Sequence, residues 1–141
     1  MSSVDTKNAV ELTFARALEL VHAAHDEAAR RRIVVSAAVV DAGGHLIAFG
    51  RMDGAEIAGS TLATDKAFTA VAHSISTAEL AVLAAPGGEL FGLQANGGGR
   101  YVIFGGGIPL RTGGVIIGGV GVSGSTSEND VACAAHAAEL W

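Results

Sequence analysis

Hydrophobic and polar positions alternate with a helical period at the start of the chain. From Asp5 or Thr6 to Arg32, residues Val10, Phe14, Ala17, Leu18, Val21, His25 and Ala28 recur at steps of three and four and fall on one face. Glu19, Asp26 and Arg30 fall on the other. Asp26 with Arg30 and Glu27 with Arg31 are acid-before-base pairs one turn apart, and Arg30 to Arg32 place cations where a helix C-terminus favours them. The pattern predicts one long amphipathic helix. Ile33 to Val40 is an unbroken apolar run rich in valine, as expected of a strand covered on both faces. Asp41-Ala42-Gly43-Gly44 supplies a turn, and His45 to Met52 a second strand of the same hairpin. Its pleat predicts His45, Ile47, Phe49 and Arg51 on one face and Leu46, Ala48, Gly50 and Met52 on the other.

Helical spacing returns from Glu56 to about His73, with Leu62, Lys66, Thr69 and His73 along one side. Ser76-x-x-Glu79 has the form of a capping box, opening a short helix that stops at Pro86-Gly87-Gly88. Three β-rich runs follow a glycine-rich loop: Tyr101 to Phe104, Ile108 to Arg111 and Val115 to Val122. Ser125-x-x-Glu128 offers a second capping box for a final alanine-rich helix reaching Trp141. The expected fold is α/β (α+β), one domain over 1–141, with five mainly antiparallel strands in the order α-ββ-αα-βββ-α and helices packed on the sheet.

Composition narrows the function classes. Of 141 residues, 50% are hydrophobic and only 16% charged, which excludes disorder and leaves too few charges to cover a free monomer; a homo-oligomer is expected. The net charge of -5 gives no concentrated basic surface for nucleic acid. No stretch has the length of a membrane span and the first residues form no apolar signal core, so a cytoplasmic protein is expected. The single cysteine, Cys133, forms neither an internal disulfide nor a multi-cysteine metal cage. Fifteen of the twenty glycines lie between Gly87 and Gly124. Gly119 to Gly124 matches GxGxxG, yet no second parallel strand or acidic partner follows, so these glycines read as close packing rather than nucleotide binding.

Three groups of residues carry candidate chemistry. His22 and His25 stand side by side on the first helix, a spacing that a metal or haem iron can use; the plainer reading of His25 is a core or interface histidine. His45, beside the Asp41 turn, is placed to ligate or to move protons. The third group joins Arg51, Met52 and Asp53 at the end of the second strand, Lys66 on its helix, and the Gly106, Gly107 and Pro109 loop. A lysine among Ala67, Phe68, Ala70 and Val71 is costly to bury alone, and Asp53 or Asp65 is its expected partner. Backbone N–H groups in that loop could hold an anion or a carbonyl oxygen. A pair that merely ties hairpin to helix is the structural alternative.

Five blocks in order, Val39-Val40-Asp41-Ala42-Gly43-Gly44-His45-Leu46, Arg51-Met52-Asp53-Gly54-Ala55, Lys66-Ala67-Phe68-Thr69-Ala70, Gly106-Gly107-Ile108-Pro109-Leu110 and Gly118 to Gly124, resemble the GlcG/HbpS-like family. The resemblance implies a small α/β protein with a five-stranded antiparallel sheet that assembles into oligomers. It also implies haem as a cofactor or ligand, by analogy with haem-binding members, and a role accessory to catabolism of small acids and alcohols. Two readings result. One is a binding protein for haem or another flat apolar molecule. The other is a cofactor-independent lyase or isomerase using Asp53, Lys66 and His45 for proton transfer.

Overall fold

A computed structural model describes residues 11–141. The first helix, α1, spans Phe14–Arg30, and Thr13 caps it by accepting from the Arg16 N–H at 3.1 Å. Its expected start at Asp5 or Thr6 lies outside the described residues, while Glu11 to Thr13 are not helical. β1 (Ser36–Asp41) and β2 (Leu46–Arg51) form the hairpin. At the turn, Asp41 Oδ1 accepts from the N–H groups of Gly43 and His45, and Gly44 takes φ +83°. α2 spans Ile57–His73 and α3 Thr77–Leu83; the expected capping box of Ser76 and Glu79 opens α3. β3 (Gly107–Thr112), β4 (Val115–Ser123) and α4 (Ser127–Glu139) complete the chain. Thr126 caps α4, one residue beyond the expected Ser125, by accepting from Asn129 N–H.

Among the described residues the sheet has four strands, all antiparallel, in the order β2-β1-β4-β3. The fifth expected strand, Tyr101 to Phe104, is irregular because its backbone finds partners elsewhere. Val102 N–H donates to Thr69 Oγ1, and the same hydroxyl lies 2.6 Å from Asp65 O and 3.2 Å from Arg100 O, so α2 rather than a strand satisfies this segment. Pro109, which lacks a ladder N–H, sits on the edge strand β3.

The two sheet faces are built differently. On one face Val35, Ala37, Val39, Val120 and Val122 meet Ala17, Leu20, Val21 and Ala24 of α1 and Cys133, Ala134 and Ala137 of α4, forming the main core. On the other face α2 lies directly on glycine. A Cβ at Gly121 would strike the backbone of Ala63 and Ala67, and one at Gly119 would strike Val71 and the Ala67 carbonyl. The GxGxxG run is thus a groove for a helix backbone. Burial in the core also pushes the Cys133 thiol up to about 11. No helix among the described residues is long and apolar enough to cross a membrane.

The simple pleat expected for β2 is interrupted. Val39 pairs with Ala48 but Val40 pairs with Leu46, which leaves Ile47 as an extra residue in β2. Beyond this bulge the faces are exchanged: Leu46 joins Phe49 and Arg51 on the α2 side, while Ala48 and Gly50 face α1.

The close approach of α2 makes a prediction. Gly121→Ala should destabilise the protein by about 3 kcal/mol, the upper end of the usual cost of overpacking. Gly54→Ala, whose Cβ would enter open space, should cost about 1 kcal/mol from its left-handed backbone alone. Urea unfolding of the two variants checks this order; equal losses would contradict it.

Candidate functional site

Lys66 is completely buried and lies in the middle of α2, over the end of β4. Its ammonium donates to Asp130 Oδ2 at 3.1 Å and to the Val122 carbonyl at 2.9 Å, and lies 5.1 Å from the Phe104 ring centroid. Neither expected partner reaches it: Asp53 is exposed in the turn after β2, and Asp65 accepts from Arg100 Nε at 3.0 Å. Asp130, in the first turn of α4, is held for its role by the backbone. Its Oδ1 accepts from Ser125 N–H at 3.0 Å, and Oδ2 also lies 3.4 Å from Gly124 N. Burial pushes the Lys66 pKa down, and the charge and hydrogen bond of Asp130 oppose that shift.

The glycine loop closes over this pair rather than leaving a cavity. Gly106 has φ +133°, and a side chain there would strike Lys66 Nζ and the Val122 carbonyl. Val122 N–H donates to the Gly106 carbonyl, and Gly107 N–H donates to Thr77 Oγ1 at 2.8 Å. Gly107 therefore offers no open donor, and Pro109 has none. The loop thus covers Lys66 instead of presenting the expected open backbone donors at Gly107. His45 and Asp53 stand beyond opposite ends of β2, a strand roughly 17–20 Å long. The structure does not assemble Asp53, Lys66 and His45 into one constellation.

The histidines occupy a different region. His22 is exposed on α1; one turn on, half-buried His25 donates Nε2–H to the Gly50 carbonyl of β2 at 2.9 Å. Val21 and His25 both crowd Gly50, where a Cβ would lie 2.8 Å from the His25 ring. Arg51, next along β2, is exposed, whereas the Met52 sulfur accepts from Val35 N–H at 3.3 Å and serves the hairpin. No group of three or more His, Cys, Asp or Glu side chains among the described residues could hold a metal ion.

An open hollow of about 410 Å³ lies on the other sheet face, between β2 and α2, lined by Leu46, Phe49, Ser60, Thr61, Thr64 and Asp65. Of these, sequence reasoning singled out only Asp65, and that as a partner for Lys66. The signal was the small polar set on α2, but its opposition to Leu46 and Phe49 depends on the β2 bulge.

Lys66→Met removes the charge while keeping the chain length, and leaves Asp130 buried without its cation. The variant should lose about 3–5 kcal/mol of stability, and Lys66→Met with Asp130→Asn should recover part of it. Denaturant unfolding of both checks the pair; a loss below about 1 kcal/mol in Lys66→Met would contradict its structural role.

Residues 12–139 match the family described as "Haem degrading protein HbpS-like". A Citrobacter freundii chain described as an uncharacterized 15.0 kDa protein in the dhaT-dhaS intergenic region is 39% identical over 119 residues, covering 84% of each chain. The corrinoid adenosyltransferase PduO of Salmonella typhimurium is 39% identical over 122 residues, 86% of this chain but only 36% of PduO. A crystal structure of a PduOC:heme complex superposes with a TM-score of 0.89 at 38% identity, covering 94% of this chain and 96% of that one. Sequence and backbone thus agree over nearly the whole described chain, and the protein belongs to the HbpS-like family.

Proposed function

We propose that this chain binds haem, or another flat apolar molecule, as an accessory to a catabolic pathway. The observation that carries the reading is the likeness to PduOC, which has been crystallised with heme. The donor chemistry of the α1 flank fits such a ligand. Histidine is a common haem ligand, and His22 presents its imidazole at the surface. His25, with Nε2–H committed to Gly50 O, keeps Nδ1 as its only lone pair and fixes the local packing of α1 on β2. Bound haem would supply an iron centre, which the His22 imidazole would hold, while His25 fixes α1 on β2 beside it. The relatives named for an intergenic region and for a corrinoid adenosyltransferase support the accessory role.

Self-association belongs to the same reading. Arg16 lies over the Trp141 ring, 4.5 Å from its centroid, and Trp141 Nε1–H donates to Thr112, drawing together the start of α1, the β3–β4 turn and the chain end. Phe14, Val115 and Leu140 in these segments are 62%, 65% and 55% exposed, an apolar surface suited to a second copy. Light scattering should give at least a dimer; a monodisperse monomer at micromolar concentration would contradict it.

Hemin titration followed by absorbance in the Soret region tests the ligand. Native protein should give a saturable band; His22→Ala should lose or move it, and His25→Ala should broaden it by loosening the neighbouring turn. Identical spectra for native protein, His22→Ala, His25→Ala and His45→Ala would overturn histidine ligation.

A further inference from the structure

We propose that the hollow between β2 and α2 is a second binding site, for an uncharged small molecule with an apolar ring or short chain and at least one hydroxyl donor. It lies on the sheet face opposite α1, and so is separate from the His22 flank. Its volume of about 410 Å³ falls within the usual range of small-ligand sites, roughly 300–1,000 Å³.

The lining is divided by chemistry. Leu46 and Phe49, 52% and 36% exposed, form an apolar wall. The Ile47 bulge creates that wall: in a regular strand residues three apart face opposite ways, and the extra residue turns both side chains toward α2. The facing wall carries the hydroxyls of Ser60, Thr61 and Thr64 and the carboxylate of Asp65. Thr64 Oγ1 donates to the Ser60 carbonyl at 3.2 Å, so it is left as an acceptor toward the hollow. Asp65 is largely covered and fixed in place: its Oδ1 receives Arg100 Nε, and the Arg100 guanidinium carbon lies 3.8 Å from the Phe68 ring centroid. Asp65 and Thr64 present acceptors, while the Ser60 and Thr61 hydroxyls can accept or donate; opposite an apolar wall, this set selects an apolar body with a hydroxyl.

The same polar wall argues against the alternatives. An apolar segment of a second copy laid into the hollow would cover Asp65 and three hydroxyls without supplying donors, which is costly. A carboxylate ligand would meet the Asp65 charge.

The test is an amide NMR titration of the full chain with phenol and cyclohexanol, with benzoate as the anionic control. Saturable shifts at Phe49, Thr61, Thr64 and Asp65 are expected with phenol or cyclohexanol, and not with benzoate. Thr61→Phe, a change at an exposed position that fills the hollow, should abolish them at an unchanged melting temperature. Thr64→Val should weaken binding by about 3- to 10-fold, the worth of one hydrogen bond. The proposal is overturned by an absence of saturable shifts, by equal shifts with benzoate, by shifts that persist in Thr61→Phe, or by concentration-dependent broadening at these amides showing that a second copy covers them. Hemin is absent throughout, so the outcome is independent of haem binding.

Discussion

A fully buried ammonium must find an anion and acceptors within the fold, and the Lys66–Asp130 pair is where this chain meets that demand. The pair fastens three elements at one point: Lys66 comes from the middle of α2, Asp130 from the first turn of α4, and the second acceptor is the Val122 carbonyl near the end of β4. Asp130 also gathers the Ser125 N–H, so the link between β4 and α4 is organised around the same carboxylate. Such a pair adds little net stability over an apolar replacement of both partners. Its effect is to make the two residues interdependent, since half of it alone is strongly unfavourable.

The glycines answer to the same point. With Lys66 directed into the protein, α2 must sit against the sheet, and Gly119 and Gly121 of β4 give its backbone room. Gly106 allows its loop to cover the ammonium. A helix brought this close along β4 diverges from the outer strand β2, where side chains rather than glycines face it. The hollow follows from that difference: tight contact along the central strand, and a gap at the edge that Leu46 and Phe49 only partly fill. On the α1 face alanine and valine interdigitate, and His25 closes the β2 edge on Gly50.

Much of this was legible in the chain itself, for reasons that are local. The α1 stripe, the apolar β1 run, the Asp41 turn and the Ser76 capping box each depend on residues within a few positions of one another. Lys66 stood out as a charge among apolar neighbours, and its need for a partner was readable. The partner was not, because Asp130 lies 64 residues away and acquires its role from the antiparallel pairing of β4. Tyr101 to Phe104 has the composition of a strand, but Thr69 of α2 satisfies its backbone and Tyr101 stacks beside Phe68 and His73. The β2 bulge is invisible without the pairing register, and with it went the hollow. The family resemblance pointed to the α+β fold, and to haem as the ligand to test, more directly than to individual residues.

The central claim is that the buried pair and the groove beneath α2 form one cooperative unit with the core. Native-state hydrogen exchange reads this directly through the amides of Val122, Ser125 and Gly107, which bond to Gly106, Asp130 and Thr77. They should exchange only through global unfolding, with the same free energy as the amides of the central strand β1. Exchange of these three through a lower-energy opening, while β1 stays protected, would contradict the account.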